Sequence, residues 1–347
     1  MPNGVGRDRT GRSVGVRDVA ARAGVSLGTV SNVLNNPDRV GADIRERVEE
    51  AMRALDFVPS RAAGQLRSRR SELIGVVVPD VGNPFWAAVL RGVEAGVDAA
   101  GLTMVVGSTH QDPERQRHVL LGLESQGVDG LVIAPIVDRA SDWAAFERRR
   151  LGVVTLERQG RGSDGAWVSL DNVRGARLAM AHLIAEGHRR IALVNGPASV
   201  SWCAERREGA AQALLDAGLA PDDVLVDVEV RDLTVAEGAA AVAPLLDAGR
   251  VSAVMCVNDM LALGALLAMQ ERGIRVPEDV ALVGYDDADF APALNPPLTT
   301  VRQPSYDMGL AAAGLLLRGG ERVPGEHVEF EAHLVVRGSS VAEPPRR

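Results

Sequence analysis

From Leu73 onward, short continuous apolar runs alternate with stretches of helical periodicity, and few architectures accept that pattern. Leu73-Ile74-Gly75-Val76-Val77-Val78-Pro79 has strand length and is followed by a helical stretch over 84–100. Thr103-Met104-Val105-Val106-Gly107, a helix over 113–126 and Gly130-Leu131-Val132-Ile133-Ala134 continue the series. It resumes with Arg190-Ile191-Ala192-Leu193-Val194, a helix over 204–217, Ala253-Val254-Met255-Cys256-Val257, a helix over 259–272 and Ala281-Leu282-Val283-Gly284-Tyr285. Strands that are apolar throughout, rather than alternately, are buried on both faces, and helices between them imply parallel pairing. Two such series of similar size predict two doubly wound parallel-sheet lobes.

In such sheets ligands bind beyond the carboxyl ends of the strands, often between lobes. The residues there are therefore the candidates. Asn83, Phe85 and Trp86 follow the first strand, and Thr109 follows the second. In the second half, Trp202 and Arg206 lie beyond Asn195-Gly196-Pro197, Asp259 follows Asn258, and Asp286 precedes Asp287. Aromatic faces with carboxylates, amides and a guanidinium suit a polyhydroxylated ligand: rings stack on its apolar face and planar groups fork to adjacent hydroxyls. The same residues have plainer readings, with Phe85 and Trp86 as core and Asp259 and Arg206 as a structural ion pair.

Residues 1–70 differ in kind. They hold 13 Arg against 8 Asp and Glu, so they carry +5 and leave −13 to the rest of a 347-residue chain whose net charge is −8. A basic head on an acidic body points to a polyanionic partner for the head. The basic residues are all Arg, which excludes P-loop, S-x-x-K and Schiff-base lysine chemistry. No apolar run approaches the roughly 20 residues that span a bilayer. The N-terminal MPNGVGRDRTGRSVG lacks the apolar segment of a secretory signal, so a cytoplasmic location is expected, with Cys203 and Cys256 as reduced thiols. The histidines show no metal-ligand spacing; neither metal nor cofactor is expected.

Within the head, Gly24-Val25-Ser26-Leu27-Gly28 fits the G-x-S-x-G pattern of a serine hydrolase, which requires a strand leading into the serine. Val16, Val19, Ala20 and Ala23 before it have helical spacing, so Ser26 is read as a helix N-cap instead. Val30, Val33 and Leu34 define a second helix, and Ile44, Val48, Met52 and Leu55 a third over 43–55. Two short helices joined by a Gly-containing turn make a helix-turn-helix. The outer side of its second helix, with Leu27, Gly28, Thr29, Ser31, Asn32 and Asn35, is uncharged and amide-bearing. Such side chains suit a DNA major groove, where amides read adenine edges and apolar groups meet thymine methyls.

Val16-Arg17-Asp18-Val19-Ala20, Gly24-Val25-Ser26, Thr29-Val30-Ser31 and Val33-Leu34-Asn35 resemble the DNA-binding head of the lactose-repressor (LacI/GalR) family, and Val58-Pro59-Ser60 with Leu66 resembles its hinge. Asn83-Pro84-Phe85, Gln126-Gly127-Val128-Asp129-Gly130, Asn258-Asp259, Gly284-Tyr285-Asp286-Asp287 and Pro297-Leu298-Thr299-Thr300-Val301-Arg302-Gln303 extend the likeness through the body. The resemblance implies a homodimeric transcriptional regulator, most simply a repressor, on a pseudo-palindromic operator. Leu27, Gly28 and Asn32 would be base-reading, with Arg17, Ser26, Thr29, Ser31, Asn35 and Arg61 beside them on DNA and Leu66 inserted in the minor groove. It also implies an effector-controlled body like a type I periplasmic binding protein, with lobe crossovers near 169–172, 299–303 and 330. The effector, a sugar or polyol in this reading, would meet Arg206 and Asp259, with Leu233 where several relatives have an aromatic ring. The expected divisions are a tail over 1–14, the head over 15–58, the hinge over 59–71, the body over 72–340 and a tail over 341–347. Within the body the N-lobe takes 72–170 and 302–330, and the C-lobe 171–300 and 331–340. A stand-alone solute-binding protein would explain the body alone, and a hydrolase neither part.

Overall fold

A computed structural model describes residues 14–57, 71–137, 146, 148–149, 151–157, 165–318 and 326–341. Both expected tails, and the hinge residues Arg61 and Leu66, lie outside the described residues, apart from residues 14 and 341 at the tail edges. The chain divides into two units, Met1–Ser71 and Glu72–Arg347.

The first unit contains α1 (Val16–Ala23), α2 (Leu27–Asn35) and α3 (Ala42–Ala54). Local chemistry fixes each boundary. The Asp18 carboxylate accepts from the Gly15 N–H at 2.8 Å, which closes the start of α1. Gly24 ends α1 with φ +65°, a left-handed cap that glycine adopts without strain. Ser26 Oγ accepts from the Thr29 N–H at 3.0 Å and starts α2. Val19, Ala20, Ala23, Val30, Val33, Val48 and Ala51 form the core where the helices meet. Arg47 of α3 donates to the Ala23 carbonyl at 2.5 Å and so ties α3 to the turn.

The second unit holds two six-stranded sheets. The N-lobe comprises β1 (Leu73–Val78), α4 (Pro84–Ala99), β2 (Thr103–Ser108), α5 (Pro113–Ser125), β3 (Gly130–Ile133), β4 (Gly152–Leu156) and β5 (Ala166–Leu170). The C-lobe comprises α6 (Asn172–Ala185), β6 (Ile191–Asn195), α7 (Ser201–Asp216), β7 (Leu225–Glu229), α8 (Val235–Asp247), β8 (Ala253–Cys256), α9 (Asp259–Glu271), β9 (Ala281–Asp286) and β10 (Thr299–Arg302). Then α10 (Ser305–Leu317) packs on α4 in the N-lobe, β11 (His327–Phe330) joins the first sheet and β12 (His333–Val335) the second. The chain thus passes between the sheets just after β5, after β10 and between β11 and β12.

The sheet orders are β11-β5-β4-β3-β1-β2 and β12-β10-β9-β8-β6-β7. Each contains the doubly wound order 2-1-3-4-5, whose switch points fall between β1 and β3 and between β6 and β8. One strand departs from the parallel expectation: β12 runs antiparallel to β10, because only two residues separate it from β11. Six further strands are not marked by apolar runs. β7 is a half-exposed edge carrying Asp227 and Glu229, while β4, β5, β10, β11 and β12 have five residues or fewer. The helices assigned to 84–100, 113–126 and 259–272 end one residue earlier, and that assigned to 204–217 starts at Ser201.

Candidate functional site

In the head, the helix preceding Ser26 and the engagement of its Oγ with Thr29 remove the nucleophile reading. Leu27 is 47% exposed, and Gly28, Asn32 and Arg17 are exposed as well. Thr29 and Ser31 are half-buried, and the side chain of Asn35 lies outside the described residues. The helix therefore buries Val30 and Val33 and turns a small, uncharged face outward, with its N-terminal end, the end that carries positive partial charge, in the open.

In the body, the polar strand-end residues fall into two groups. Those of the N-lobe mostly serve their own helices. Asn83 Oδ1 accepts from the Phe85 N–H at 2.9 Å and caps α4, while Phe85 and Trp86 lie in the N-lobe core. Their rings meet edge to face at 4.7 Å, and Trp86 meets Trp202 of the C-lobe at 6.1 Å. Trp202 packs with Ile136, Val200 and Cys203, and Leu233 lies against them. These apolar side chains close one part of the space between the lobes. Thr109 is fully buried, and its hydroxyl has no hydrogen-bond partner among the described residues.

The second group surrounds Arg206, which is only 4% exposed. Its Nη1 donates to the Val257 carbonyl at 2.5 Å, beside the switch point of the C-lobe sheet, and its Nε donates to Asn172 Oδ1 at 3.0 Å. The guanidinium lies 3.7 Å over the Tyr285 ring. Asn172, the first residue of α6, donates in turn to Glu157 at 2.8 Å and to Glu205 at 3.1 Å. Glu157 follows β4 of the N-lobe, so this buried chain of polar contacts joins the lobes. Asp286, at the end of β9, accepts from Gln303 Nε2 at 2.6 Å, whereas Gln303 Oε1 is buried without a partner among the described residues.

Burial pushes the Glu157 carboxyl up to about 7, with Arg206 opposing the rise and Glu205 adding to it. Burial likewise raises Asp286 to about 7, against the pull of Arg206 and the Gln303 hydrogen bond. Asp259 is raised by burial first and by Asp286 second. Glu157 and Asp286 can thus exchange hydrogen bonds in either sense with a hydroxyl near neutral pH. Asp259 differs in its commitments: Oδ1 accepts from the Thr300 hydroxyl at 2.7 Å, and Oδ2 from the Ala288 N–H at 2.8 Å. Leu233 offers its carbonyl to Asn258 Nδ2 at 3.2 Å.

The structure therefore brings Arg206 and Asp286 into one cluster and adds Glu157, Asn172, Tyr285 and Gln303, which strand-end reasoning does not select as site residues. Glu157, Asn172 and Gln303 sit just after β4, β5 and β10, so the same rule applied to those strands would have found them, whereas Tyr285 is the penultimate residue of β9. No cluster of three or more potential metal ligands occurs among the described residues, and no described helix is long and apolar enough to cross a membrane.

Two known domains match the sequence: "Bacterial regulatory proteins, lacI family" over residues 16–60, and "Periplasmic binding protein-like domain" over 180–340. The HTH-type transcriptional regulator CelR of Thermobifida fusca is 38% identical over 343 residues, covering 92% of this chain and 96% of that protein. The chain belongs to the lacI family. The HTH-type transcriptional repressor CytR of Escherichia coli K12 is 33% identical, covering 95% of this chain and 97% of that protein. Among solved structures, the lac repressor dimer bound to operator and the anti-inducer ONPF superposes with a TM-score of 0.81 at 30% identity, covering 95% of this chain and 99% of that one. A CelR–cellobiose complex superposes at 0.70 with 34% identity, covering 94% and 100%. As a lacI-family member the chain is a DNA-binding transcriptional regulator and not an enzyme.

Proposed function

We propose that this regulator is a cytoplasmic, homodimeric repressor that leaves its operator when a neutral sugar or polyol binds between the lobes. The observation that carries the ligand class is the buried set of Arg206, Glu157, Asp286 and Gln303. Glu157 and Asp286 share the field of one guanidinium, and Glu205 reaches the same set through Asn172. The cation is thus already matched by carboxyl groups, and the set favours hydroxyl groups, which find both donors and acceptors, over an anion. The cellobiose held by CelR agrees with this class. In this reading Arg206 and Asp286 contact the effector, and Thr109, with its unpartnered hydroxyl, faces it from the N-lobe. Trp86, Trp202 and Leu233 bound the site, and the buried ring of Phe85 backs Trp86, with Asn83 fixing the start of its helix.

On the operator, two copies of α2 enter successive major grooves, Leu27 and Asn32 read base edges, and Arg17, Ser26, Thr29, Ser31 and Asn35 support the docking. The hinge over 59–71, with Arg61 and Leu66, bends the centre of the site. The effector and DNA oppose each other through a reciprocal coupling free energy. The test is a thermal-shift screen of neutral sugars, sugar phosphates and sugar acids on the full chain, followed by operator gel shifts with each hit. Ligand at 100 times Kd adds about 2.7 kcal/mol of stability, a rise of several degrees. A hit confined to the anionic ligands, or a neutral hit that leaves operator affinity unchanged, overturns the proposal.

A further inference from the structure

The end of β9 has an unusual backbone. Asp286 and Asp287 are consecutive non-glycine residues at φ +122° and +56°. Such conformations persist only where surrounding contacts over-determine them. Here the contacts come from two sides. From beneath, Asp259 at the start of α9 accepts from the Ala288 N–H and from the Thr300 hydroxyl. Thr300 Oγ1 also accepts from the Asp287 N–H at 3.3 Å, so Asp259 reaches the bend twice, directly at Ala288 and through this hydroxyl at Asp287. Gly284 leaves the space that Asp259 occupies, since a Cβ there would collide with Oδ1. From the other side, the Asp287 carboxylate accepts from Arg302 Nε and from Arg337 Nη2, both at 2.6 Å. Arg302 closes β10 just before a lobe crossover, and Arg337 follows β12 just after another.

We propose that Asp259 and Asp287 are positioning residues: their carboxylates hold the bend that sets Asp286 beside Arg206 and Gln303, and neither carboxylate is itself an effector contact. This replaces the expectation that Asp259 binds the effector, and it rests on the assignment of the Asp286 cluster as the effector site. Both Asp259 oxygens already have protein donors, and the residue is 1% exposed with Oδ1 seated against Gly284, so its contacts are committed to the bend and to β10. An amide at 259 can accept from Ala288 and donate to Thr300 Oγ1, so Asp259→Asn retains the clamp and Asp259→Ala does not.

The experiment compares full-length wild type, Asp259→Asn, Asp259→Ala and Asp286→Asn by amide hydrogen exchange over the peptide spanning 284–288, and by titration with cellobiose and with each neutral sugar that shifts the melting of wild type. Asp259→Ala should exchange the bend amides about 10-fold faster than wild type, the scale of one lost buried hydrogen bond, while Asp259→Asn stays within about 3-fold. Asp259→Asn should keep sugar affinity, and Asp286→Asn should lose it. Thr300→Val, which removes the bridging hydroxyl but keeps the side-chain shape, gives the same readout should Asp259→Ala not fold. Wild-type exchange in both Asp259→Ala and Thr300→Val overturns the proposal. So does an Asp259→Asn protein with a protected bend that loses sugar as fully as Asp286→Asn. If no sugar binds wild type, the effector reading fails, and the exchange rates still decide whether Asp259 holds the bend.

Discussion

The two lobes share the strand order 2-1-3-4-5 and present the same row of strand ends, but they use those ends differently. In the N-lobe, Asp80 accepts from the Gly82 N–H, Asn83 caps α4, and Asp112 accepts from the Glu114 and Arg115 N–H groups to cap α5. These three side chains satisfy their own backbone, while the Thr109 hydroxyl is left without a partner among the described residues. In the C-lobe, Asn258 caps α9, but Arg206 and Asp286 are committed to other side chains and to a distant carbonyl. Glu157 is the N-lobe residue that joins the C-lobe set, through Asn172. A doubly wound sheet thus supplies positions for a ligand site, and which lobe makes charged contacts depends on whether its strand-end residues are consumed by helix caps.

The largest test of this division is removal of the cation. Arg206→Ala leaves Glu157 and Asp286 buried without their compensating charge, and truncating one partner of such a set costs about 3–5 kcal/mol. The melting temperature should fall by about 10 °C, and effector response should vanish. Below its melting temperature the variant should still shift operator DNA, because the head folds on the core of its own unit. Loss of operator binding by a folded Arg206→Ala protein would break the separation between the two units.

The head supplies a matching test. Asn32→Ala should weaken the operator complex by about 1–3 kcal/mol, the worth of one bidentate amide pairing with a base edge, while leaving sugar-induced melting shifts intact. Normal operator affinity in this variant would remove Asn32 from the base-reading face.

A comparable effect tests two of the raised carboxylates by pH. The Glu157 carboxyl titrates near 4.5 when unperturbed and about 7 when folded. Between those values the folded protein keeps a proton that the unfolded chain has released. Stability attributable to this group therefore falls as pH rises from about 4.5 to 7 and stays level above, at about 1.4 kcal/mol per pH unit within the window. Asp286 acts in the same direction from 3.8 to about 7. The protein should melt higher at pH 5.5 than at pH 7.5, and Glu157→Gln should flatten part of that slope. An unchanged slope in Glu157→Gln would mean that the carboxyl is ionised throughout.

How much of this the sequence disclosed depended on pattern strength. The helix-turn-helix was legible because its core spacing, the Gly24 turn and the Ser26 cap all agree, each within a few residues. The lobes were legible because β1, β6, β8 and β9 are apolar along most of their length. Arg206 and Asp286 emerged from the rule about strand ends. Glu157, Asn172 and Gln303 did not, since β4, β5 and β10 are short and follow segments without periodicity. The contrast between Asp259 and Asp286 was also hidden. Both follow strands and both are carboxylates, and only the fold shows that one turns to the Ala288 amide while the other faces Gln303. Phe85 and Trp86 carried two readings in sequence, and the structure places both in the N-lobe core.

The smallest predicted effect tests the N-lobe side of the comparison. If Asn83 serves α4 alone, Asn83→Ala removes one capping hydrogen bond and costs about 1 kcal/mol, a melting shift of roughly 2–4 °C. Its effect on sugar affinity should stay below about 2-fold, because the cap is local and α4 is also held by α10. There a Cβ on Gly92 would collide with the Tyr306 carbonyl, so the two helices meet backbone to backbone. Asn83→Ser should restore most of the loss, since a hydroxyl accepts from the same N–H, whereas a ligand contact through the longer amide would not be rescued by serine. Parallel melting and titration of the two variants therefore assign Asn83 to the helix or to the ligand. An affinity loss that serine fails to repair would place an N-lobe strand end among the effector contacts, and the division between the lobes would then narrow.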